Sequence, residues 1–150
     1  MSFTGVYQHS IDAKGRTSLP SRFREVLAAQ GAEKLFVTTD VSDLCLQAFA
    51  PAQWEEFIKR VASKSQFDPR IRMVMRTFVA PAQECPVDKL GRILIPPALR
   101  DYAGVEGEIT WAGSVERIEI WSPGRWRETQ AQARSPEAQR ALLASLHELL

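Results

Sequence analysis

A ten-residue segment occurs twice in this chain, and the repeat constrains the fold more than any other sequence feature. Residues 11–20 read IDAKGRTSLP, and residues 87–96 read VDKLGRILIP. At an offset of 76 the matched residues are Asp12 and Asp88, Gly15 and Gly91, Arg16 and Arg92, Pro20 and Pro96, and Arg24 and Arg100. Such a repeat predicts two copies of one supersecondary unit.

Each copy contains an Asp-x-x-Gly sequence, which is typical of a tight turn. The aspartate can accept a backbone N–H two residues on, and the glycine can adopt a positive φ. Strand-forming residues flank each turn, so we predict a β-hairpin with its tip at residues 12–16 and a second at 88–92. The residues assigned to this structural motif are Asp12, Gly15, Asp88, Gly91 and Arg92.

The similarity continues past the motif, because FAPAQW at 49–54 matches WSPGRW at 121–126 at an offset of 72. A short helix and a pair of strands are predicted after each turn, and further helices are predicted from Pro51, Asp68 and Ser135. The last helix either covers a subunit surface or frays. These patterns divide the chain into a first repeat at 1–50, linking helices at 51–78, a second repeat at 79–122 and C-terminal helices at 123–150.

Composition and motifs argue against several functional classes. The 150 residues, 45% of them hydrophobic and 25% charged, are typical of a globular protein without a membrane span or secretion signal. Cys45 and Cys85 lack partners at metal-ligand spacing and are interpreted as buried free thiols of a cytoplasmic protein. We find no catalytic constellation, and therefore predict no enzyme activity, cofactor, metal or small-molecule substrate. The four tryptophans, interpreted as core residues, are Trp54, Trp111, Trp121 and Trp126.

The two copies differ in charge. Residues 1–78 carry 11 Lys/Arg and 8 Asp/Glu, a net charge of +3, whereas residues 79–150 carry 8 and 10, a net charge of −2. Lys14 of the first copy corresponds to Leu90 of the second, and Thr17-Ser18-Leu19 corresponds to the apolar Ile93-Leu94-Ile95. We therefore predict that the second copy is a buried scaffold and that the first presents an exposed, cationic tip.

The cationic tip suggests a nucleic-acid contact. Arginine can bond two acceptors on guanine, while lysine and hydroxyl groups can hold the phosphate backbone. The candidate DNA-binding residues are Lys14, Arg16, Thr17, Ser18, Arg22 and Arg24. The alternative for this group is an ordinary solvated basic surface. Three arginines of the linking region, Arg70, Arg72 and Arg76, also have two interpretations: solvent exposure, or contact with another subunit or with the DNA backbone.

Both motifs resemble the MraZ family of bacterial transcriptional regulators, whose two tandem SpoVT-AbrB domains each carry Asp-x-x-x-Arg. The resemblance rests on Gly5-x-Tyr7-x-His9-x-Ile11-Asp12-x-Lys14-Gly15-Arg16 and on Glu84-Cys85-x-x-Asp88-x-x-Gly91-Arg92, and it covers nearly the whole chain. It implies an α+β fold, in which two AbrB-like repeats with swapped hairpins interlock into a pseudo-symmetric β-barrel with flanking helices.

The resemblance also implies a function. MraZ-like proteins form rings that bind double-stranded promoter DNA, at G-rich direct repeats upstream of their own gene, at the head of the division and cell-wall cluster. By that similarity this chain would be a nucleoid-associated, cytoplasmic repressor in which Lys14 and Arg16 read DNA. Leu90 departs from the first-copy pattern. The alternative is a homo-oligomeric, AbrB-like interaction module that binds a protein such as a toxin and does not touch DNA.

Overall fold

The computed structural model describes residues 2–150 and has an α+β architecture, as predicted. The first half contains β1 (Val6–Ser10), β2 (Arg16–Ser18), α1 (Ser21–Ala29), β3 (Lys34–Thr39), β4 (Leu46–Phe49), α2 (Pro51–Ala62) and α3 (Pro69–Val74), which continues as a π-helical segment over Met75–Val79. The second half contains β5 (Gln83–Pro86), β6 (Arg92–Leu94), α4 (Pro97–Ala103), β7 (Glu108–Ser114), β8 (Arg117–Trp121), α5 (Pro123–Ala133) and α6 (Pro136–Leu149).

Most strand pairings join the two halves of the chain. Six antiparallel strands form one sheet in the order β1-β7-β8-β4-β3-β5, and β2 and β6 form a separate two-stranded ribbon. Four ladders, β1–β7, β2–β6, β3–β5 and β4–β8, connect a strand of the first half to a strand of the second. Within residues 2–150 the six-stranded sheet is open, so the closed barrel that the resemblance implied is not confirmed.

The predicted hairpins are only partly correct. The turn at 12–16 forms, since the amide of Gly15 donates to the carbonyl of Asp12 at 3.0 Å. Its two arms then take different partners: β1 pairs with β7 and β2 pairs with β6. Between the arms there is one isolated β-bridge, from Ile11 to Thr17, and side-chain hydrogen bonds from Thr17 to Ser10 and between His9 and Ser18. Local turn chemistry determines the turn, whereas burial of the strand faces decides which strand becomes the partner.

The core lies where the two halves meet. Phe23 of α1 makes edge-to-face contacts with Phe3 and Tyr7, at ring-centroid distances of 5.5 and 5.4 Å, and it also lies against Trp111 of β7. Trp54, Trp111 and Trp121 are buried, which confirms their interpretation as core residues, whereas Trp126 is half-buried and lies outside the core. Cys45 and Cys85 are confirmed as buried free cysteines.

Side-chain caps begin the later helices. The Asp68 carboxylate accepts a hydrogen bond from the amide of Arg70, and the Ser135 hydroxyl accepts one from the amide of Ala138, as expected where a capping residue precedes proline.

The linking region and the last helix present exposed side chains. Arg70, Arg72 and Arg76 are exposed. The helix α6 contacts α5 and has no buried residue, and it exposes Leu142, Leu143, Leu146 and Leu149.

Substitution of Val115 is expected to stabilise the protein. Val115 lies in the two-residue connection between β7 and β8 at φ +64°, and a β-branched side chain is strained in this region. Val115→Gly should raise the free energy of unfolding by about 1 kcal/mol, or roughly 2–4 °C in Tm. Val41→Gly, at an exposed valine without a positive φ, is the matched control for calorimetry. Equal effects of the two substitutions would contradict strain at Val115.

Candidate nucleic-acid interface

The two faces of the β2–β6 ribbon have different environments. In its register Arg16 lies opposite Leu94, Thr17 opposite Ile93, and Ser18 opposite Arg92. The central pair is buried, with Thr17 2% and Ile93 1% exposed. Because side chains alternate along a strand, the outer positions lie together on the other face. We call Arg16, Ser18, Arg92 and Leu94 the ribbon face.

The predicted burial of the apolar run Ile93-Leu94-Ile95 is wrong at Leu94. Ile93 and Ile95 are buried as expected, but Leu94 is 50% and Leu90 70% exposed. The three-residue apolar run indicates a strand, yet only alternate members of the run can face one core. The second copy therefore has a solvent-facing surface of its own.

An aspartate organises each turn and also holds the arginine four residues later. Asp12 Oδ1 accepts the amides of Lys14 and Arg16 at 3.0 and 2.9 Å, while its Oδ2 accepts Arg16 Nε at 2.7 Å. In the second turn Asp88 makes the same bonds to the Leu90 and Arg92 amides, both at 2.9 Å, and to Arg92 Nε at 3.0 Å. The two turns are structurally equivalent down to these bonds.

Each of these arginines bonds its aspartate through Nε alone. Among residues 2–150, no protein acceptor is bonded to the terminal amino groups of Arg16 or Arg92. Their side chains are 42% and 36% exposed. A guanidinium held at Nε keeps its two terminal amino groups available for a ligand with two adjacent acceptors.

The same bonds lower the pKa of the turn carboxylates. The backbone amide and the guanidinium of Arg16 lower the pKa of Asp12 from 3.8 to about 2. The pKa of Asp88 is also lowered, mainly by the Arg92 amide. Folding therefore favours both ionised forms. Their contribution to stability is complete above about pH 4 and is lost as the pH falls towards the folded-state values.

Removing these charges should reduce the acid sensitivity of the fold. The double variant Asp12→Asn/Asp88→Asn keeps an oxygen for the turn amides but cannot ionise, so its urea midpoint should change less between pH 4 and pH 2 than that of the wild type. Asp101→Asn, at an exposed acid whose side chain makes no hydrogen bond within the described residues, is the control. A double variant that retains the full pH dependence would contradict this account.

Arginines from the helices support the turns across the repeat boundary. Arg100 of α4 donates from Nε to the carbonyl of Ile95 at 2.8 Å and from Nη1 to the carbonyl of Ala13 at 3.3 Å, and it lies against Gly15. In the equivalent position the Arg24 guanidinium of α1 lies against Gly91. Each half of the chain thus helps to position the turn of the other.

The remaining DNA-contact candidates occupy different environments. Lys14 is exposed at the first turn, and Arg22 is exposed in the first turn of α1. Ser18 is exposed, and its hydroxyl oxygen lies 2.9 Å from His9 Nδ1. Thr17 is buried, and its hydroxyl donates to the Ser10 carbonyl at 2.8 Å, so its side chain is not presented to solvent.

Sequence reasoning treated Arg92 as scaffold and did not select Leu94. The structure places both beside Arg16 and Ser18 on the ribbon face. The repeat contained a usable signal, because Arg92 and Leu94 correspond to Arg16 and Ser18 at the same offset of 76. What the sequence lacked was the pairing of β2 with β6.

Membrane-spanning helices and metal-binding clusters are both absent from the described residues. None of the helices in the described part of the chain is sufficiently long and apolar to cross a membrane. Across residues 2–150, no three His, Cys, Asp or Glu side chains are grouped so that they could hold a metal ion.

Comparison with known proteins identifies the family. A family model described as "MraZ protein, putative antitoxin-like" matches residues 2–77 and again residues 78–144. The transcriptional regulator MraZ of Geobacter metallireducens is 44% identical, over 86% of this chain and 88% of that protein. The protein of the same name from Anaeromyxobacter sp. is 38% identical, over 91% of this chain and 94% of that protein. The one from Acetivibrio thermocellus is 42% identical, over 83% of this chain and 83% of that protein.

The two family-model matches divide the chain between its two turns, as the internal repeat requires. Several relatives are more than 35% identical to this chain over most of their length, and all of these are named transcriptional regulator MraZ. The chain belongs to the MraZ family, which is a family of transcriptional regulators and not of enzymes.

Proposed function

We propose that this regulator binds promoter DNA by placing the ribbon face in the major groove. The observation that carries the proposal is the pair of arginines, Arg16 and Arg92. Each is held by its aspartate at Nε, and they lie at diagonal positions on the ribbon face with partly exposed side chains. The major groove, about 12 Å wide, admits a two-stranded ribbon, and a guanine presents there the O6 and N7 acceptors that arginine can bond in pairs.

The candidate residues then take distinct roles. Arg16 reads a guanine, and the aspartate behind it fixes the orientation of its guanidinium. Lys14 at the tip and Arg22 on α1 neutralise phosphates, while Ser18 offers a hydroxyl to a base edge or the backbone. Thr17 is buried and supports the surface from within, whereas Arg24 is exposed and positions the second turn by lying against Gly91.

One ribbon face cannot provide high specificity alone. A good bidentate arginine–guanine pair discriminates by only about 1–3 kcal/mol. We therefore propose a ring-shaped homo-oligomer that presents several ribbon faces to G-rich direct repeats upstream of its own gene. Once one ribbon face of the oligomer is bound, the other faces bind intramolecularly, so the avidity can exceed the affinity of one site by roughly 10²–10⁴. When bound at the nucleoid to a promoter of the division and cell-wall cluster, the oligomer would exclude RNA polymerase and so repress transcription from that promoter.

A second candidate is a homo-oligomeric module that binds a protein without binding DNA. The description of the matching family model includes the words "antitoxin-like", which favours this alternative. An open apolar groove lined by Val41, Met73, Val74 and Tyr102 is the surface that such a partner would use. This candidate predicts no affinity for the upstream DNA.

A salt titration of DNA binding separates the two candidates. The wild-type protein should shift a labelled duplex from its own upstream region in preference to a shuffled duplex of equal composition. The logarithm of the binding constant should fall linearly with the logarithm of salt concentration, with a slope of about −0.9 per phosphate neutralised. Equal affinity for both duplexes, or a slope near zero, would contradict the proposal.

A further inference from the structure

We propose that strand β6 of the second repeat forms half of the DNA-reading surface and that Leu94 contacts the 5-methyl groups of thymines. This inference rests on the proposed function and extends it to specificity. It assigns a role to a strand that the charge pattern alone marks as scaffold.

The position of Leu94 carries the argument. It lies directly opposite Arg16 in the β2–β6 register, on the outer face, and half of its surface is exposed. Directly opposed side chains of an antiparallel pair are about 4.5–5.5 Å apart at Cβ, so a groove that accommodates Arg16 must also accommodate Leu94. Burial of the Leu94 side chain in that groove is favourable only if an apolar group of the DNA contacts it.

Duplex DNA offers one such partner in the major groove. The base edges there present hydrogen-bond donors and acceptors, and thymine alone adds a methyl group. The charges of the surface suit duplex DNA better than an apolar protein partner: Arg16 and Arg92 belong to the ribbon face, and Lys14 and Lys89 are exposed on the two turns. The carboxylates of the two turns, Asp12 and Asp88, are bonded within their own turns.

The chemistry of the face is asymmetric although its backbone is nearly symmetric. Arg16 and Arg92 are equivalent by the repeat, but Ser18 of the first copy corresponds to Leu94 of the second. Across the ribbon, Arg16 therefore lies opposite a leucine and Arg92 opposite a serine. A guanine read by Arg16 should lie beside a thymine, whereas a guanine read by Arg92 need not. An asymmetric face binds its DNA site in one orientation only. This property suits direct repeats, in which every site has the same orientation.

Replacement of thymine by uracil tests the methyl contact. The upstream region is amplified once with dTTP and once with dUTP, which removes the 5-methyl groups of the strands synthesised. Wild-type protein should bind the uracil duplex more weakly by about fourfold for each methyl group contacted. Leu94→Ser should bind the thymine duplex more weakly than wild type does and should bind the two duplexes equally. Leu143→Ser, at an exposed leucine of α6 outside the proposed surface, should discriminate as wild type does.

The possible failures are distinguishable. Equal binding of both duplexes by wild type would overturn the thymine contact and leave the proposed function standing. Absence of binding to either duplex would overturn both. If Leu94→Ser still discriminates between the duplexes, Leu94 does not make the methyl contact and the inference is overturned. A change in oligomer size in light scattering would then place Leu94 between subunits. Thermal melting of each variant establishes that it is folded.

Discussion

Replacing Gly15 by alanine is expected to destabilise the protein by about 3 kcal/mol or more, roughly 10 °C in Tm. Gly15 has φ +95°, which strains any residue with a side chain. An added Cβ would also lie far inside van der Waals distance of the Ile95 carbonyl oxygen and 2.7 Å from Arg100 Nε. The first obstacle is backbone of the opposite repeat, so it cannot rotate away.

Two other glycines provide graded controls for this substitution. Gly91→Ala meets the Arg24 guanidinium, a flexible group that can move, so it should cost less than Gly15→Ala. At Gly124, within α5, an added Cβ meets nothing within 4 Å, and alanine there should be neutral or stabilising. Chemical denaturation measures all three. A Gly15→Ala protein as stable as wild type would show that the turn does not pack closely against Ile95, the residue that follows β6.

The double substitution Lys14→Ala/Arg16→Ala is expected to weaken binding to the upstream DNA at least about 100-fold. It removes one phosphate contact and one bidentate base contact from every subunit. The cost in stability should be small, because the Arg16–Asp12 pair is exposed and such surface pairs contribute little. Fluorescence anisotropy at fixed salt measures the affinity, and thermal melting checks the fold.

Two single variants make this result specific. Arg16→Lys retains the positive charge but loses the planar guanidinium that makes two parallel hydrogen bonds. It should therefore keep most of the nonspecific DNA affinity of the wild type but lose much of the discrimination between sequences. Arg140→Ala removes an exposed cation of α6, outside the proposed surface, and should leave the affinity nearly unchanged. A double variant that binds as tightly as wild type, or that is unfolded, would contradict the assignment of Lys14 and Arg16 to an exposed reading surface.

The structure changes the expectation for Arg92. Interpreted as scaffold, Arg92 would affect stability more than binding. In the structure it has the same exposed Nε bond to aspartate as Arg16 and lies on the same face. We therefore expect Arg92→Ala to weaken DNA binding with little loss of stability.

Local sequence chemistry predicted much of the secondary structure. Asp-x-x-Gly predicted both turns, and Asp68 and Ser135 before prolines predicted the starts of α3 and α6. These features depend on residues within four positions of each other. The division of the chain at 1–50, 51–78, 79–122 and 123–150 stays a prediction.

Strand partners could not be predicted in the same way. The residues of β2 are compatible with a local hairpin, but Thr17 is buried together with Ile93, which is 76 residues away. Register between distant strands depends on which faces are buried together, and a short alternating segment is compatible with several partners. For the same reason the exposure of Leu94 and the contribution of Arg92 to the site became evident only from the fold.

Directed cleavage of bound DNA tests the central claim most directly. Ala13→Cys places a thiol on the exposed first turn, and Ala144→Cys places one on the exposed surface of α6. Cys45 and Cys85 are buried, and burial raises the pKa of both thiols, so an iron–EDTA reagent should label the introduced cysteines. Cleavage from position 13 within the bound upstream repeats, with none from position 144, is predicted. DNA that is bound but cut from position 144 and not from position 13 would contradict the account.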